Sequence, residues 1–174
     1  TNPELVLKKL EQLNITLSQP ISQKDQIFLK KGVTYPVGRG KVATRIREQD
    51  AKFIFNMKIS QENELDNLER ETVIENPKQM QDILENIGFY EAVQVKKIRK
   101  KAKYNDMEIC IDEVEQLGSF IEVEKLSEGD SLQIQEQLFT FLESLGVTKE
   151  DQVIKGYDTL MWEYLKTKEL DQQT

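Results

Sequence analysis

The stretch at residues 95–124, VKKIRKKAKYNDMEICIDEVEQLGSFIEVE, decides the fold. It contains a basic run, then a run in which apolar and acidic residues alternate, then a second alternating run after "QLGS". Alternation with a period of two is typical of β-strands, because successive side chains point to opposite faces of a sheet. We therefore predict consecutive strands at "VQVKKIRKKAKY", "DMEICIDEV" and "FIEVEKL", with a turn at "QLGS".

The rest of the chain supplies further strands and helices. A first helix is predicted at about Pro3–Leu13 and a second at "NPKQMQDILENIGF", and each begins with Asn followed by Pro, a helix-start signal. Two more helical segments, "SLQIQEQLFTFLESLG" and "GYDTLMWEYLKTKEL", follow the last strand. A loop is predicted at "KGVTYPVGRG" and a polar connection at "QENELDN". The remaining predicted strands are "SQKDQIFLKK", "KVATRIRE", "KFIFNMKIS" and "LERETVI".

The two helix starts indicate an internal repeat. Sliding the sequence by 74 residues places Asn2 on Asn76, and the same slide places Asp25 on Arg99 in the strand after each helix. Such self-similarity predicts two related strand–helix–strand units, although coincidence between two amphipathic helices is the alternative. The strand "LERETVI" precedes the second helix, and no counterpart precedes the first.

Composition excludes several classes of function. The 174 residues are 38% hydrophobic and 32% charged, as expected of a single globular domain over residues 1–174. No apolar run is long enough to cross a bilayer and no leader precedes Thr1, so we expect no membrane partner. The chain has no histidine, which excludes His-ligated zinc and Ser–His–Asp catalysis. A lone Cys110 indicates a reducing, cytoplasmic location, and the net charge of −7 argues against nucleic acid.

The predicted strands repeatedly carry charged residues on one face. For any single strand, a solvated face with cross-strand ion pairs is a sufficient explanation. For the whole set, separate basic and acidic clusters match a polyphosphate with its divalent cation, because arginine binds phosphate and carboxylates bind hard metal ions. The charged positions that share a strand face are Arg45 with Arg47, Lys58 alone, Glu69 with Glu71, Lys97 with Arg99, Glu108 with Asp112, and Glu122 with Glu124.

These residues, in this order, resemble the CYTH superfamily of triphosphate tunnel metalloenzymes, which contains class IV adenylate cyclases, thiamine triphosphatases and inorganic triphosphatases. The resemblance covers nearly the whole chain and is strongest over "VKKIRKK" and "DMEICIDEVEQLGSFIEVE". "ATRIRE" is similar to the family's Arg-x-Arg, the lysine of "FNMK" to its tunnel lysine, and "GYDTLMWEYL" to a Tyr-x-x-Leu segment of the cyclase type. The family's first strand, Glu-x-Glu-x-Lys, has no match here.

The resemblance implies an α+β fold, with a closed antiparallel β-barrel of about eight strands that forms a triphosphate tunnel and helices packed outside. It also implies Mg²⁺ or Mn²⁺ as the cofactor. Lys97 and Asp112 are the catalytic candidates. The implied triphosphate ligands are Arg45, Arg47, Lys58, Lys97 and Arg99, and the implied metal ligands are Glu122, Glu124, Asp112, Glu108, Glu71 and Glu69.

Three functions stay open at this point. The first is a metal-dependent, class IV-type adenylate cyclase that converts ATP to cyclic AMP and pyrophosphate, which the chain length and the tail favour. The second is an inorganic or thiamine triphosphatase. The third is a module that binds polyphosphate or nucleotide without catalysis, which is favoured if the Glu-x-Glu-x-Lys strand is absent from the protein rather than lying before Thr1. The partner is ATP or another triphosphate, and a homodimer is left open.

Overall fold

The computed structural model describes residues 1–61, 67–126 and 131–172, so that positions 62–66 of the predicted polar connection lie outside the described residues. Over these described residues the fold is α+β, with four α-helices and seven strands. The elements are α1 Pro3–Gln12, β1 Ile21–Lys30, β2 Val42–Gln49, β3 Lys52–Ser60, β4 Asn67–Ile74, α2 Pro77–Asn86, β5 Phe89–Tyr104, β6 Met107–Val114, β7 Gly118–Glu124, α3 Ser131–Ser144 and α4 Tyr157–Asp171, with a short 3-10 helix at Lys149–Asp151.

Helices α1 and α2 begin in the same way. The side chain of Asn2 accepts a hydrogen bond from the Glu4 backbone N–H, and the side chain of Asn76 accepts one from that of Gln79, both at 2.9 Å. In each helix a proline follows the capping residue, where its missing N–H costs nothing. The predicted helix starts are thus confirmed. None of the helices in the described part of the chain is long and apolar enough to cross a membrane.

The seven strands form one antiparallel sheet in the order β4-β3-β2-β1-β5-β6-β7. Among the described residues β4 and β7 are the two edges, so hydrogen bonds do not close this sheet into the predicted barrel of about eight strands. Closure requires the two edge strands to pair, either directly or through a further strand. The resemblance implies such a strand ahead of the first helix, whereas α1 here already begins at Pro3.

The chain divides into two compact units, and the prediction of one domain stays a prediction. Unit 1 contains Thr1–Ile21, Ile98–Glu113 and Gly118–Val153, and unit 2 contains Ser22–Lys97, Val114–Leu117 and Ile154–Thr174. The core of unit 1 forms where one face of α1 packs on strand residues and on the turn after α3. Its buried members are Val6, Leu10, Ile15, Ala102, Ile109, Leu145 and Val147.

The core of unit 2 lies between the first strands and α2. Phe28 on β1 and Ile46 on β2 are buried against Leu84 of α2, and all three are at most 3% exposed. Phe55 and Met80 pack at the edge of this cluster. Because apolar side chains take up this face of β1, β2 and β3, the polar side chains at alternate positions are left for the opposite face.

Candidate functional site

Strands β1 to β4 of unit 2 carry polar residues on a common face. In an antiparallel pair, directly opposed residues share a face, and so do alternate residues along one strand. The register gathers the candidates on β2, β3 and β4 on the face opposite the Phe28 cluster. The opposed polar pairs are Asp25 with Arg47, Arg45 with Asn56, Asn56 with Glu71, and Lys58 with Glu69.

The Asp25 carboxylate pairs with the two arginines of this face, Arg45 and Arg47. It is 4% exposed. Arg47 donates to both of its carboxylate oxygens, with Nε–Oδ1 and Nη2–Oδ2 distances of 2.7 Å, and Arg45 Nη1 lies 3.6 Å from Oδ2. Burial alone raises the pKa of a carboxyl, but here the hydrogen bonds from Arg47 and the charges of both arginines hold the pKa of Asp25 below its ordinary value. Asp25 is therefore an ionised, shared counter-ion.

Lys97 belongs to the same basic group. Its positive charge also acts on Asp25 and lowers the pKa of that carboxyl further. The side chain is buried, and its Nζ lies 4.6 Å from the centroid of the Tyr157 ring, a cation–π distance. Tyr157 is the first residue of α4. The C-terminal helix thereby contributes directly to the environment of a predicted phosphate ligand.

Lys58 and Glu69 lie farther along the face and are more open to solvent. The distance from Lys58 Nζ to Glu69 Oε1 is 3.8 Å, with side chains that are 43% and 46% exposed. Buried Asn56 donates to Glu69 Oε2 at 3.2 Å. Glu71 is exposed on the same strand. Glu69 on β4 therefore offsets the charge of Lys58, and an exposed ion pair of this kind contributes little to stability.

A second cluster of charged residues lies in unit 1. Arg99 donates to both carboxylate oxygens of Asp112, at 2.7 Å from Nε and 2.5 Å from Nη2, and also to Glu122 Oε2. The side chain of Asp112 is not exposed at all, and that of Arg99 is 7% exposed. Burial disfavours the guanidinium charge, but the hydrogen bond to Asp112 and the charges of Glu122 and Asp112 outweigh it and raise the pKa of Arg99. Three predicted site residues thus form one ion-pair network.

Glu108 and Cys110 lie on the same face of β6 as Asp112, as the alternation predicts. Glu108 Oε1 accepts a hydrogen bond from Lys101 Nζ at 2.7 Å and lies 3.7 Å from Cys110 Sγ. Burial, together with the charges of Glu122 and Glu124 and against that of Arg99, raises the pKa of the Cys110 thiol to about 12. The thiol is therefore neutral at physiological pH and is not a nucleophile.

The carboxylates fit a divalent metal ion only in part. Across the described residues, no group of three or more His, Cys, Asp or Glu side chains is arranged to hold one. Mg²⁺ is commonly bound by one or two carboxylates together with substrate phosphates and water. Glu122, whose side chain is 32% exposed, and exposed Glu124 fit that smaller role. Asp112 does not, because Arg99 takes both of its oxygens.

Sequence reasoning missed three residues of these clusters, namely Asp25, Asn56 and Tyr157. A signal was available for Asp25, since the 74-residue slide places it on Arg99, a residue of the predicted site. Asn56 shares a strand face with Lys58, so the same alternation could have found it. Tyr157 begins the Tyr-x-x-Leu segment that the resemblance singled out, but its contact with Lys97 depends on how α4 folds and carried no signal of its own.

Comparison with known proteins shows the family of the chain. The CYTH domain model matches residues 1–157. A protein of Methanocaldococcus jannaschii named as a putative adenylate cyclase is 31% identical over 162 residues, which cover 87% of this chain and 88% of the relative.

Solved structures share the fold. The PH1819 protein of Pyrococcus horikoshii OT3 has a TM-score of 0.78 at 25% identity, covering 94% of this chain and 95% of that one. A putative adenylyl cyclase from Hippeastrum, described as having a dominant triphosphatase activity, has a TM-score of 0.58 at 18% identity, covering 84% of each chain. With the family match over residues 1–157 and a relative above 30% identity, the chain belongs to the CYTH domain family.

Proposed function

We propose that this chain is a triphosphate-processing enzyme that acts as an adenylate cyclase, converting ATP to cyclic AMP and pyrophosphate. The observation that supports it best is the grouping of Arg45, Arg47 and Lys97 around one carboxylate, Asp25. Three basic side chains concentrated in a largely buried setting favour a polyanion. The relative from M. jannaschii, named as a putative adenylate cyclase, supports the choice of reaction.

The basic residues are proposed to bind the phosphate chain. Arginine presents planar pairs of N–H groups that match phosphate oxygens, and Arg45 and Arg47 are next-but-one neighbours on β2. Lys58 on β3 and Lys97 on β5 supply point charges. In the sheet, β3 is the neighbour of β2, and β5 is the neighbour of β1. Placing fixed positive charge against the phosphates stabilises the negative charge that develops as the bond to pyrophosphate breaks.

The proposed reaction is a displacement at phosphorus, with no change of oxidation state. The ribose 3′-hydroxyl oxygen forms a bond to the α-phosphorus, the bond from that phosphorus to the bridging oxygen breaks, and pyrophosphate leaves. The hydroxyl proton must pass to an acceptor, and Lys97 is the proposed one: this side chain, a cation when it binds the phosphate chain, must first give its own proton to solvent. Asp112 is proposed to act through Arg99, because both of its oxygens already accept hydrogen bonds from that side chain.

A divalent ion is proposed to accompany the substrate, with Glu122 and Glu124 as its protein ligands. When bound, such an ion polarises the phosphoryl group and stabilises the departing oxygen. Glu108 and Glu69, which pair with Lys101 and Lys58, are further proposed ligands. Glu71 on β4 remains a proposed ligand.

Triphosphate hydrolysis is the second candidate. The Hippeastrum protein with this fold is described as having a dominant triphosphatase activity. The same basic residues would then hold the substrate while water attacks the terminal phosphorus. The bond from that phosphorus to the bridging oxygen breaks, so that orthophosphate forms and the diphosphate part of the substrate leaves. The two reactions differ in the nucleophile and in the phosphorus attacked, so product identity separates them.

The test is incubation of the protein with ATP, tripolyphosphate and thiamine triphosphate, each with Mg²⁺, Mn²⁺ or EDTA, followed by chromatography of the products. Cyclic AMP with stoichiometric pyrophosphate from ATP is the expected result. Orthophosphate without cyclic AMP under any metal would replace the cyclase with a triphosphatase. Binding without turnover would leave only a binding module.

Matched variants locate the activity. Arg45→Ala with Arg47→Ala should abolish tripolyphosphate binding in calorimetry. Lys24→Ala is the control, because Lys24 is an exposed cation on the opposite face of β1 from Asp25, and its loss should change little. Unchanged affinity in the double variant would overturn phosphate binding at this face.

A further inference from the structure

Asp25 is a buried acid in the middle of a face proposed to bind an anion. A negative charge there opposes phosphate by Coulomb repulsion, so its presence needs a separate explanation. It lies on β1 directly opposite Arg47 on β2, and its two oxygens accept two hydrogen bonds of 2.7 Å from that one guanidinium.

The bonding pattern fixes the guanidinium of Arg47. Nε and Nη2 both donate hydrogen bonds to Asp25, and this two-point contact aligns the plane of the guanidinium with the carboxylate. The two N–H groups of Nη1 remain for another acceptor. Arg45 Nη1 lies 3.6 Å from the same carboxylate, so one buried charge also offsets the repulsion between two arginines on one strand face.

We propose that Asp25 is a positioning residue, which holds Arg47 and steadies Arg45 in the orientation in which their guanidinium groups bind phosphate. This inference rests on the triphosphate binding proposed above. It assigns no contact between Asp25 and the substrate, and Asp25 acts through the arginines alone.

The two possible effects of Asp25 have opposite signs. If its charge mattered only as repulsion, Asp25→Asn would tighten phosphate binding. If it positions the arginines, Asp25→Asn weakens binding, because an amide accepts through a single oxygen and frees the guanidinium to rotate. The sign of the change in affinity therefore decides between them.

The experiment is calorimetric titration of the full chain with tripolyphosphate for four proteins: wild type, Asp25→Asn, Arg47→Lys and the double variant. We expect each single variant to weaken binding about tenfold, the loss typical of one hydrogen bond to a charged group. The double variant should be no weaker than Arg47→Lys alone, since a lysine cannot take the two-point contact that Asp25 offers.

The control is Glu48→Gln. Glu48 is an exposed carboxylate beside Arg47 on β2 and points to the other face of the strand. Its neutralisation removes the same charge from the same strand pair without touching the arginine, and affinity should stay within about twofold of wild type. A drop equal to that of Asp25→Asn would mean that net charge, not position, sets binding.

Four outcomes would overturn the inference. Asp25→Asn could bind tripolyphosphate more tightly than the wild type, or with the same affinity. The losses of the two single variants could add in the double variant, or Glu48→Gln could lose as much affinity as Asp25→Asn. If Asp25→Asn does not fold, Asp25→Glu takes its place, because it keeps the charge and shifts the carboxylate by one methylene. Weaker binding by Asp25→Glu supports positioning, and wild-type affinity overturns it. Absence of tripolyphosphate binding by the wild type itself would instead overturn the proposed function, and this inference with it.

Discussion

Arg99 holds Asp112 by a two-point contact that Arg47 repeats with Asp25. In unit 1 the base lies on β5 and the acid on β6. In unit 2 the acid lies on β1 and the base on β2. The slide of 74 residues places Asp25 on Arg99, so the two matched positions each hold one member of a buried ion pair, with opposite charge. Each pair joins the strand after a helix to the strand that follows it.

We predict that Arg99→Gln destabilises the protein strongly. Asp112 would keep its charge in a place with no exposure and would lose its two-point contact with Arg99. Removing one member of a buried ion pair typically costs about 3–5 kcal/mol. The free energy of unfolding in urea measures this loss, and Mg²⁺ should be left out so that ligand binding does not contribute.

Lys96→Gln is the matched control for that prediction. Lys96 lies on the same strand, and its pair with Glu115 spans 3.8 Å with both side chains more than half exposed. Loss of this pair should change stability by at most about 0.5 kcal/mol. A loss below about 1 kcal/mol for Arg99→Gln would mean that water reaches Asp112.

Sequence patterns predicted the helices and strands but not which side chains pair across the strands. The Asn–Pro starts of α1 and α2 and the period-two strands are local signals, and local hydrogen bonding and burial decide them. The resemblance implies five basic triphosphate ligands, and that call stays a prediction. The acidic partners that the sequence did not give are Asp112 for Arg99, and Asp25 for Arg45 and Arg47. These partners depend on strand register, which residue type alone does not determine.

Asp25 should also make stability depend on pH. Its folded-state pKa is held below the ordinary value of 3.8, so the unfolded chain binds a proton more readily than the folded one. The stabilisation is complete above about pH 5 and is lost as the pH falls through the unfolded and then the folded pKa. Urea unfolding between pH 3 and 7 should show this loss in the wild type and not in Asp25→Asn.

Asp106→Asn is the comparison for the pH experiment. A hydrogen bond from Lys125 lowers the pKa of Asp106 too, but that carboxylate is 65% exposed and solvent screens the pair. Its variant should follow the wild-type profile closely. If Asp25→Asn also followed it, the buried pair would not be the source of the acid sensitivity.

The hairpin between β2 and β3 offers a stabilising substitution. Gln49 pairs with Lys52, and the two residues between them, Asp50 and Ala51, have φ values of 50° and 58°. Positive φ at both central positions is the geometry of a type I′ turn, in which glycine is preferred at the second. Alanine in that region costs about 1 kcal/mol. We therefore expect Ala51→Gly to raise the melting temperature by about 1–3 °C.

Ala43→Gly provides the opposite case for the same measurement. Ala43 lies within β2, where glycine adds freedom to the unfolded chain and relieves no strain. Its substitution should cost about 0.5–1 kcal/mol and lower the melting temperature. If both substitutions lowered it equally, the hairpin turn would carry no strain at Ala51.

Cys110 should be inert in the folded protein. The thiol is fully buried and its pKa is raised to about 12, so the thiolate that reacts with disulfide reagents is scarce at pH 8. We expect labelling by a chromogenic disulfide reagent to be very slow in buffer and stoichiometric in guanidinium chloride. Cys110→Ala should then leave turnover unchanged, because a neutral buried thiol supplies neither a nucleophile nor a base. Rapid labelling of the native protein, or loss of turnover in Cys110→Ala with stability retained, would contradict this assignment and give the thiol a role beside Glu108.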